Sequence, residues 1–235
     1  MRVRVKFAKY GALRFIGHLD VMRFFQKAIR RAKIDVAYSG GYSPHQIMTF
    51  ASPLGLGMSS CGEYMDVEIN SHQGREDFLA RLRSVCPEGI EILDAKALPE
   101  GTDNAMASVA AASWEIGFSD CRMSFQAMEA KLPEFLSREE IHVTREGKKG
   151  TRQVNIRPGI RACSIRDGKL CVTADSGSSQ NIRPEEVAES LLSFCGEPLP
   201  DRPGFFSILR RETWMNAGTP QEPDFRPLDA PGEDF

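Results

Sequence analysis

The sequence predicts an α+β fold built from two tandem β-α-β-β-α-β units, and three observations support this prediction. A strand-like run of alternating charged and apolar residues opens the chain and leads into an amphipathic helix and a glycine-rich hairpin. The same order of patterns returns after the Pro-Glu-Gly-Thr-Asp-Asn segment at residues 99–104. With 235 residues, 41% of them hydrophobic and 26% charged, the chain can bury a core without disulfide or metal staples.

The elements of the first unit follow from their hydrophobic periods. Residues 2–7 alternate with period two, which predicts a strand whose apolar side chains face the core. An apolar stripe at helical spacing predicts a helix over residues 19–33, and this stripe leaves Lys and Arg side chains on the solvent side. Turn signals and further periods complete the unit with strands at 46–52, 63–69 and 90–97 and a helix at 75–85.

The second unit repeats this order with weaker patterns. Its predicted strands are at 109–118, 141–145, 154–165, 169–174 and 205–214, and its helices are at 122–132 and 184–194. The order β-α-β-β-α-β is that of the ferredoxin-like unit, in which two helices cover one face of an antiparallel sheet. We therefore predict ferredoxin-like domains over residues 1–102 and 103–215, followed by a disordered acidic tail over residues 216–235.

The sequence lacks the motifs that usually identify several classes of metal-binding protein and enzyme. The six cysteines include no Cys-x-x-Cys pair, which disfavours zinc and iron–sulfur sites. The phosphate-binding, dinucleotide-binding, serine hydrolase and zinc protease motifs are absent. The amino terminus does not resemble a signal peptide, and no apolar run of about 18 residues exists for a membrane span. We expect a cytoplasmic protein with no metal, no cofactor and no membrane contact.

Charge is segregated along the chain, although the net charge is only -2. Residues 1–33 carry ten Lys and Arg against Asp20, a balance of +9, and residues 216–235 carry five acids against Arg226, a balance of -4. This asymmetry predicts a basic working surface for an anionic partner, RNA above all. The candidate phosphate contacts lie on the first strand and the first helix and are Arg2, Arg4, Lys6, Arg23, Lys27, Arg30 and Arg31.

The strand part of this surface has an alternative interpretation. The face that carries Arg2, Arg4 and Lys6 is the one that the helices of the unit leave open, and Tyr64 on a neighbouring strand could stack a base there. However, Asp66 and Glu68 are expected on the same face, so that cross-strand ion pairs could neutralise the cations. A second basic cluster follows later in the chain, at residues 145, 148, 149, 152, 157, 161, 166 and 169.

A candidate pocket is formed by polar residues beside flexible glycines in the first unit, namely His18, Asp20, Ser43, His45, Gly55 and Gly57. A helix amino terminus disfavours the charged imidazole, so His18 could act as a neutral base. The commoner role for His18 and Asp20 is to cap the first helical turn, and His45 could simply hold its turn. A metal shared by His18 and His45 is disfavoured, because the predicted topology places the two residues about a strand length apart.

The motifs of the first unit carry a resemblance to a known family. They are Arg14-Phe-Ile-Gly-His-Leu-Asp20, Arg30-Arg31, Tyr38-Ser-Gly-Gly-Tyr-Ser-Pro-His45, Leu54-Gly-Leu-Gly57 and Gly62-Glu-Tyr-Met-Asp66. This set resembles a bacterial family of unknown function associated with radical S-adenosylmethionine (SAM) proteins, in which the domain stands alone or follows a cobalamin-type radical enzyme. The resemblance covers roughly residues 1–215, and Gln46 stands where the family prefers proline.

This resemblance implies an accessory protein of a radical SAM enzyme, since the chain has no three-cysteine cluster motif of its own. Together with the basic surface, it predicts a protein that binds structured RNA and presents it to that enzyme. One alternative is a metal-independent RNA endonuclease with His18 as its catalytic residue, because the predicted architecture and the loop 195–204 resemble the processing nucleases of CRISPR systems. Another alternative is a protein-only adaptor that docks the radical enzyme.

Overall fold

The computed structural model describes residues 1–119, 121, 123–147, 150–177, 180–199 and 204–235. Helices and strands are mixed along the chain, which confirms the predicted α+β class. The described residues divide into a first unit of residues 1–110 and 210–235 and a second unit of residues 111–209. Among the described residues, no helix is long and apolar enough to cross a membrane.

The first unit begins with the predicted order of elements. They are β1 (Arg2–Lys9), α1 (His18–Arg31), β2 (Met48–Phe50), β3 (Ser59–Glu68), α2 (Arg75–Arg83), β4 (Ile90–Ala97) and the short α3 (Ala105–Ser108). The central strand β1 lies between β3 and β4, and β2 pairs with β3. Each of these pairs is antiparallel, as expected for a ferredoxin-like unit.

The core of the first unit lies between this sheet and its helices. Val3, Val5 and Phe7 of β1 are buried, and the ring of Phe7 meets the ring of Phe25 on α1 edge to face, with centroids 4.8 Å apart. The buried residues of α1 recur at helical spacing and are Val21, Phe25, Ala28 and Ile29. Packing of this stripe turns the opposite face of α1 toward solvent.

The second unit contains β5 (Ala111–Phe118), α4 (Phe125–Ser137), β6 (His142–Gly147), β7 (Gly150–Asn155), β8 (Ile160–Arg166), β9 (Lys169–Asp175) and α5 (Pro184–Cys195). Strand β9 pairs with β5 and β8, and β6 and β7 form a separate hairpin. The prediction of one strand over residues 154–165 is wrong, because a 3-10 turn at Arg157–Gly159 divides it. Pro158 explains the break, since proline has no amide to donate to a strand ladder.

Strand β10 (Phe206–Asn216) belongs to both units: residues 206–209 lie in the second unit, and residues 210–216 lie in the first. It is followed by β11 (Phe225–Pro227), which pairs with the end of β10. The predicted boundaries of 1–102 and 103–215 therefore differ from the observed division.

The prediction of a disordered tail over residues 216–235 is wrong. Leu228 is fully buried and packs in a small cluster with Ala51, Tyr64 and Ala105. Glu233 exchanges two backbone hydrogen bonds with Ala97 of β4, of 2.8 and 2.9 Å. A few apolar anchors and backbone pairing fix the segment, although its polar composition is typical of a disordered one.

Candidate functional site

One face of α1 forms the main exposed basic surface predicted from the sequence. Arg23, Lys27, Arg30 and Arg31 are all exposed, and we call these four residues the cationic helix face. The sequence determines this arrangement, because the four side chains fall opposite the buried stripe of α1. Arg30 and Arg31 also lie in the last helical turn, where positive charge complements the helix dipole.

Acidic residues neutralise little of this face. Arg23 contacts Asp20 at 3.3 Å, but both side chains are more than 60% exposed, and such a surface pair contributes little. Among the described residues, the Arg31 side chain donates only a long hydrogen bond of 3.5 Å, to the Val85 carbonyl. Within the described part of the chain, the side chains of Lys27 and Arg30 have no hydrogen-bond or carboxylate partner. These two side chains can therefore reach an anion without first breaking a contact.

The strand cations are arranged differently, and the expectation that they form a phosphate-binding stripe is wrong for Arg4. Its side chain is fully buried and makes hydrogen bonds of 2.7 and 2.9 Å to the two carboxylate oxygens of Asp66. It also donates to the carbonyls of Leu228 and Asp103, at 2.7 and 2.9 Å. The alternative of a cross-strand ion pair is confirmed at this position.

The neighbours of Arg4 are also occupied. Arg2 donates to the Thr102 carbonyl at 2.7 Å, and Lys6 forms an ion pair with Glu212. Tyr64 is only 1% exposed, and its hydroxyl donates to Glu212 at 2.7 Å. Burial, with Asp229 and Glu212 nearby, raises the pKa of this phenol well above its ordinary value. Tyr64 therefore cannot stack a base on an open sheet face.

His18 lines a small cavity in the first unit, and the capping alternative is wrong for this residue. The amino-terminal cap of α1 is Gly17, which supplies no side-chain hydrogen bond. The imidazole ring instead meets the ring of Phe50 edge to face, with centroids 5.5 Å apart. Desolvation lowers the pKa of His18 below its ordinary value, although Glu63 opposes the shift. The lowered pKa favours the neutral ring at pH 7, but its cause is desolvation and not the helix amino terminus, and the role of His18 as a base stays a prediction.

The other walls of the cavity come from β1, α1, β3 and the segment after β2. They are formed by Phe7, Lys9, Val21, Phe50, Ser52, Leu54, Glu63 and Tyr64. The cavity has a volume of about 20 Å³, which is room for one water molecule. A larger ligand would require the walls to move apart.

Three charged residues beside the cavity were not predicted as site residues. Lys9 is 3% exposed and donates to the carbonyls of Ile16 and Arg14, at 3.1 and 3.4 Å. Desolvation lowers its pKa, and the Glu63 carboxylate partly opposes this shift. Glu63 accepts a 2.8 Å hydrogen bond from Arg210, and both of these side chains are buried.

The burial of one of these residues, Lys9, could have been predicted from the sequence. In the sequence, Lys9 follows Val3, Val5 and Phe7 at period two, which indicates an inward amine, and Lys9 is buried even though the pairing of β1 with β3 shifts register between Phe7 and Lys9. Arg210 has no comparable local signal, because its partners lie about 150 residues away in the chain.

The structure does not bring the six predicted pocket residues together. Only His18 lines the cavity, and Asp20 is exposed beside Arg23. His45 is exposed, and its ring nitrogen Nδ1 lies 2.8 Å from the Ser39 hydroxyl, which supports the alternative that it holds its own turn.

The remaining predicted pocket residues lie in loops outside the cavity lining. Ser43 is exposed, and Gly55 and Gly57 follow the cavity-lining segment. Gly57 has φ +82°, a backbone conformation that favours glycine, and its amide donates to the Arg14 carbonyl at 2.9 Å. In the described residues, no group of three or more His, Cys, Asp or Glu side chains is placed to hold a metal ion.

Three of the six described members of the second basic cluster form ion pairs within the second unit. Arg145 bonds both carboxylate oxygens of Glu186 at 2.6 and 2.7 Å, and Arg161 does the same with Asp175 at 2.6 and 2.8 Å. Lys169 contacts Glu115 at 3.1 Å. Positions 148 and 149 of this cluster lie outside the described residues, as do positions 200–203 of the loop considered for the nuclease alternative. The cluster therefore offers less free charge than its composition indicates.

Comparison with known proteins places the chain in a family. A family model described as "Uncharacterized protein conserved in bacteria" and named DUF2344 matches residues 2–184, which is well over half of the chain. The chain belongs to the DUF2344 family. The match to DUF2344 spans the cationic helix face and the whole cavity lining, but not Arg210 or the segment that follows it. No curated protein matches the chain.

Proposed function

We propose that this DUF2344 protein is an accessory protein that binds structured RNA and presents it to a radical SAM enzyme. The observation that carries the RNA part is the cationic helix face, where Lys27 and Arg30 project into solvent without a partner among the described residues. Phosphates favour such a surface, since their contacts with Lys and Arg release the counterions of the nucleic acid. Arg2, Arg4 and Lys6 are not included, because the first unit already uses them internally.

The radical-enzyme part of the proposal rests on the motif resemblance in residues 11–66. The chain carries no cluster-binding cysteine motif, so the partner enzyme would supply the iron–sulfur cluster and the radical. The role left to this protein is to hold the substrate.

RNA crosslinking in cells tests this proposal. The tagged protein is crosslinked and purified, and its RNA is sequenced beside that of the Arg23→Glu/Lys27→Glu/Arg30→Glu variant. Enrichment of one RNA class, lost in the variant, is the expected result. Absence of RNA, with a radical SAM enzyme still copurifying, would overturn RNA presentation and favour the protein-only adaptor.

A second candidate function, RNA cleavage by this chain, is supported by one observation. His18 and Lys9 line the same cavity, so a base and an amine for developing phosphate charge share one site, although a phosphate could enter only if the cavity walls moved apart. Cleavage in EDTA that disappears in His18→Ala and persists in His45→Ala would support this function. Cleavage that survives in His18→Ala would exclude His18 as the base.

A further inference from the structure

Two tyrosines in the segment after α1 are exposed without an apparent folding role. Tyr42 is fully exposed, and Tyr38 is 51% exposed. Aromatic side chains usually contribute to stability by burying their large apolar surface, which these two do not do. In the described residues, neither ring makes an aromatic or cation–π contact.

The loop that carries these rings is closed at its base. The Ser39 amide donates to the His45 carbonyl at 2.8 Å, and the His45 amide donates to the Ser39 hydroxyl at 3.1 Å. Tyr38 and Gln46 form an antiparallel bridge just outside these two hydrogen bonds. Gly41 has φ +98°, so the turn before Tyr42 requires a glycine. These contacts hold the two ends of a short loop together, and Tyr42 lies at its tip.

The base of this loop is fixed to the helix that carries the basic face. Gln46 is 7% exposed, and its side-chain amide donates to the Gln26 carbonyl of α1 at 3.2 Å. Gln26 precedes Lys27, the central residue of the cationic helix face. Both elements lie in the first unit, and this hydrogen bond joins the base of the tyrosine loop to α1 one residue before Lys27.

An exposed aromatic ring beside a basic surface matches one chemical class of ligand. Unpaired bases have a free face that can stack on a tyrosine, while their phosphates contact the neighbouring cations. Bases within an A-form duplex are covered by their neighbours, and the deep major groove excludes side chains. We propose that Tyr38 and Tyr42 form a stacking platform for unpaired RNA bases beside the cationic helix face, an inference that rests on the proposed RNA-binding function.

Binding measurements with two labelled RNAs test this inference. One is a stem-loop and the other a blunt duplex with the same number of phosphates, and the loop carries the fluorescent adenine analogue aminopurine. We expect the stem-loop to bind more tightly, and its aminopurine to be quenched on binding. Replacement of both tyrosines in Tyr38→Leu/Tyr42→Leu should weaken stem-loop binding by about tenfold or more and abolish the quenching.

Two matched variants isolate the rings. Tyr38→Phe/Tyr42→Phe keeps both aromatic faces and should bind the stem-loop like the wild type, whereas loss of binding in this variant would overturn stacking. Tyr10→Leu removes another exposed tyrosine of the first unit and should leave binding unchanged. Circular dichroism confirms that each variant is folded.

The outcomes separate this inference from the proposed function. If the wild type binds stem-loop and duplex equally and the leucine variant binds like the wild type, the stacking platform is wrong while RNA binding stands. If the wild type binds neither RNA, both proposals are wrong.

Discussion

Arg4 on β1 and Asp66 on β3 form a buried ion pair with hydrogen bonds of 2.7 and 2.9 Å, and neither side chain is more than 4% exposed. The pair also connects distant segments. Asp66 accepts a 2.7 Å hydrogen bond from the Ala105 amide, and Arg4 donates to the Leu228 carbonyl. The sequence pattern places Arg4 and Asp66 on an open sheet face. In the structure, these two charged residues instead hold the segments that contain Ala105 and Leu228 over that face.

Removal of one partner of this pair is expected to be costly. Arg4→Met leaves the Asp66 carboxylate buried without its cation, and we predict a loss of about 3–5 kcal/mol in the free energy of unfolding. Urea denaturation followed by circular dichroism measures this loss. Arg2→Met is the control, because in the described part of the chain the Arg2 side chain makes one hydrogen bond, to the Thr102 carbonyl. A loss no larger than that of Arg2→Met would contradict the structural role of the pair.

Leu228 tests whether the last segment of the chain is part of the first unit. Its side chain is fully buried, so we expect Leu228→Ala to lower the free energy of unfolding by about 2–5 kcal/mol. Leu56→Ala is the matched control, since Leu56 is 68% exposed. The same denaturation experiment compares the two variants. Equal stability of the two variants would show that residues 224–235 do not pack as described.

The environment of His18 predicts a pH dependence of stability. Desolvation lowers the pKa of this residue in the folded protein, so the unfolded chain takes up the proton more readily. Stability from the neutral ring is therefore fully present above the unfolded pKa of about 6.5 and is lost as the pH falls below it. The free energy of unfolding of the wild type should fall more steeply between pH 7 and pH 5 than that of His18→Gln.

The control for this pH dependence is His45→Gln, because His45 is exposed. Its stability profile between pH 7 and pH 5 should follow that of the wild type. Parallel profiles for the wild type and His18→Gln would contradict a buried neutral ring at position 18.

Two cysteines are predicted to react slowly in the folded protein. Burial raises the pKa of Cys86 to about 11 and that of Cys163 to about 12, so neither forms much thiolate at pH 8. Mass spectrometry after iodoacetamide treatment should find both residues alkylated far more slowly in the native protein than in urea. Equal rates in the two conditions would contradict the partial burial of Cys86 and Cys163.

The hydrophobic period predicted the elements that position the basic surface. The α1 stripe predicts a helix over residues 19–33, and the structure has His18–Arg31; the strand predicted over residues 90–97 is β4. These predictions succeed because one face of each element must be buried, which leaves a repeating pattern in the residues themselves.

The site residues that depend on distant partners were less predictable. The burial of Arg4 depends on Leu228 and Asp103 as well as on Asp66, and no local pattern brings those segments to β1. The Gly55 and His45 loops were expected to share a pocket with His18, but His45 bonds within its own turn. The prediction of disorder for residues 216–235 was based on their polar composition. It is wrong because the burial of Leu228 and a few backbone hydrogen bonds are enough to order the segment.

The central claim is that the cationic helix face binds RNA phosphates, and the salt dependence of RNA binding tests it most directly. The affinity of the stem-loop RNA is measured over a range of salt concentrations for the wild type and for Arg23→Glu/Lys27→Glu/Arg30→Glu. The control, Arg138→Glu/Arg183→Glu/Arg226→Glu, makes the same change in net charge at exposed positions outside α1 and outside the second basic cluster.

If the three α1 cations each contact one phosphate, their reversal should weaken binding and reduce the slope of log affinity against log salt by about 2. The control should retain the wild-type slope. Wild-type affinity and slope in the α1 variant would contradict the claim.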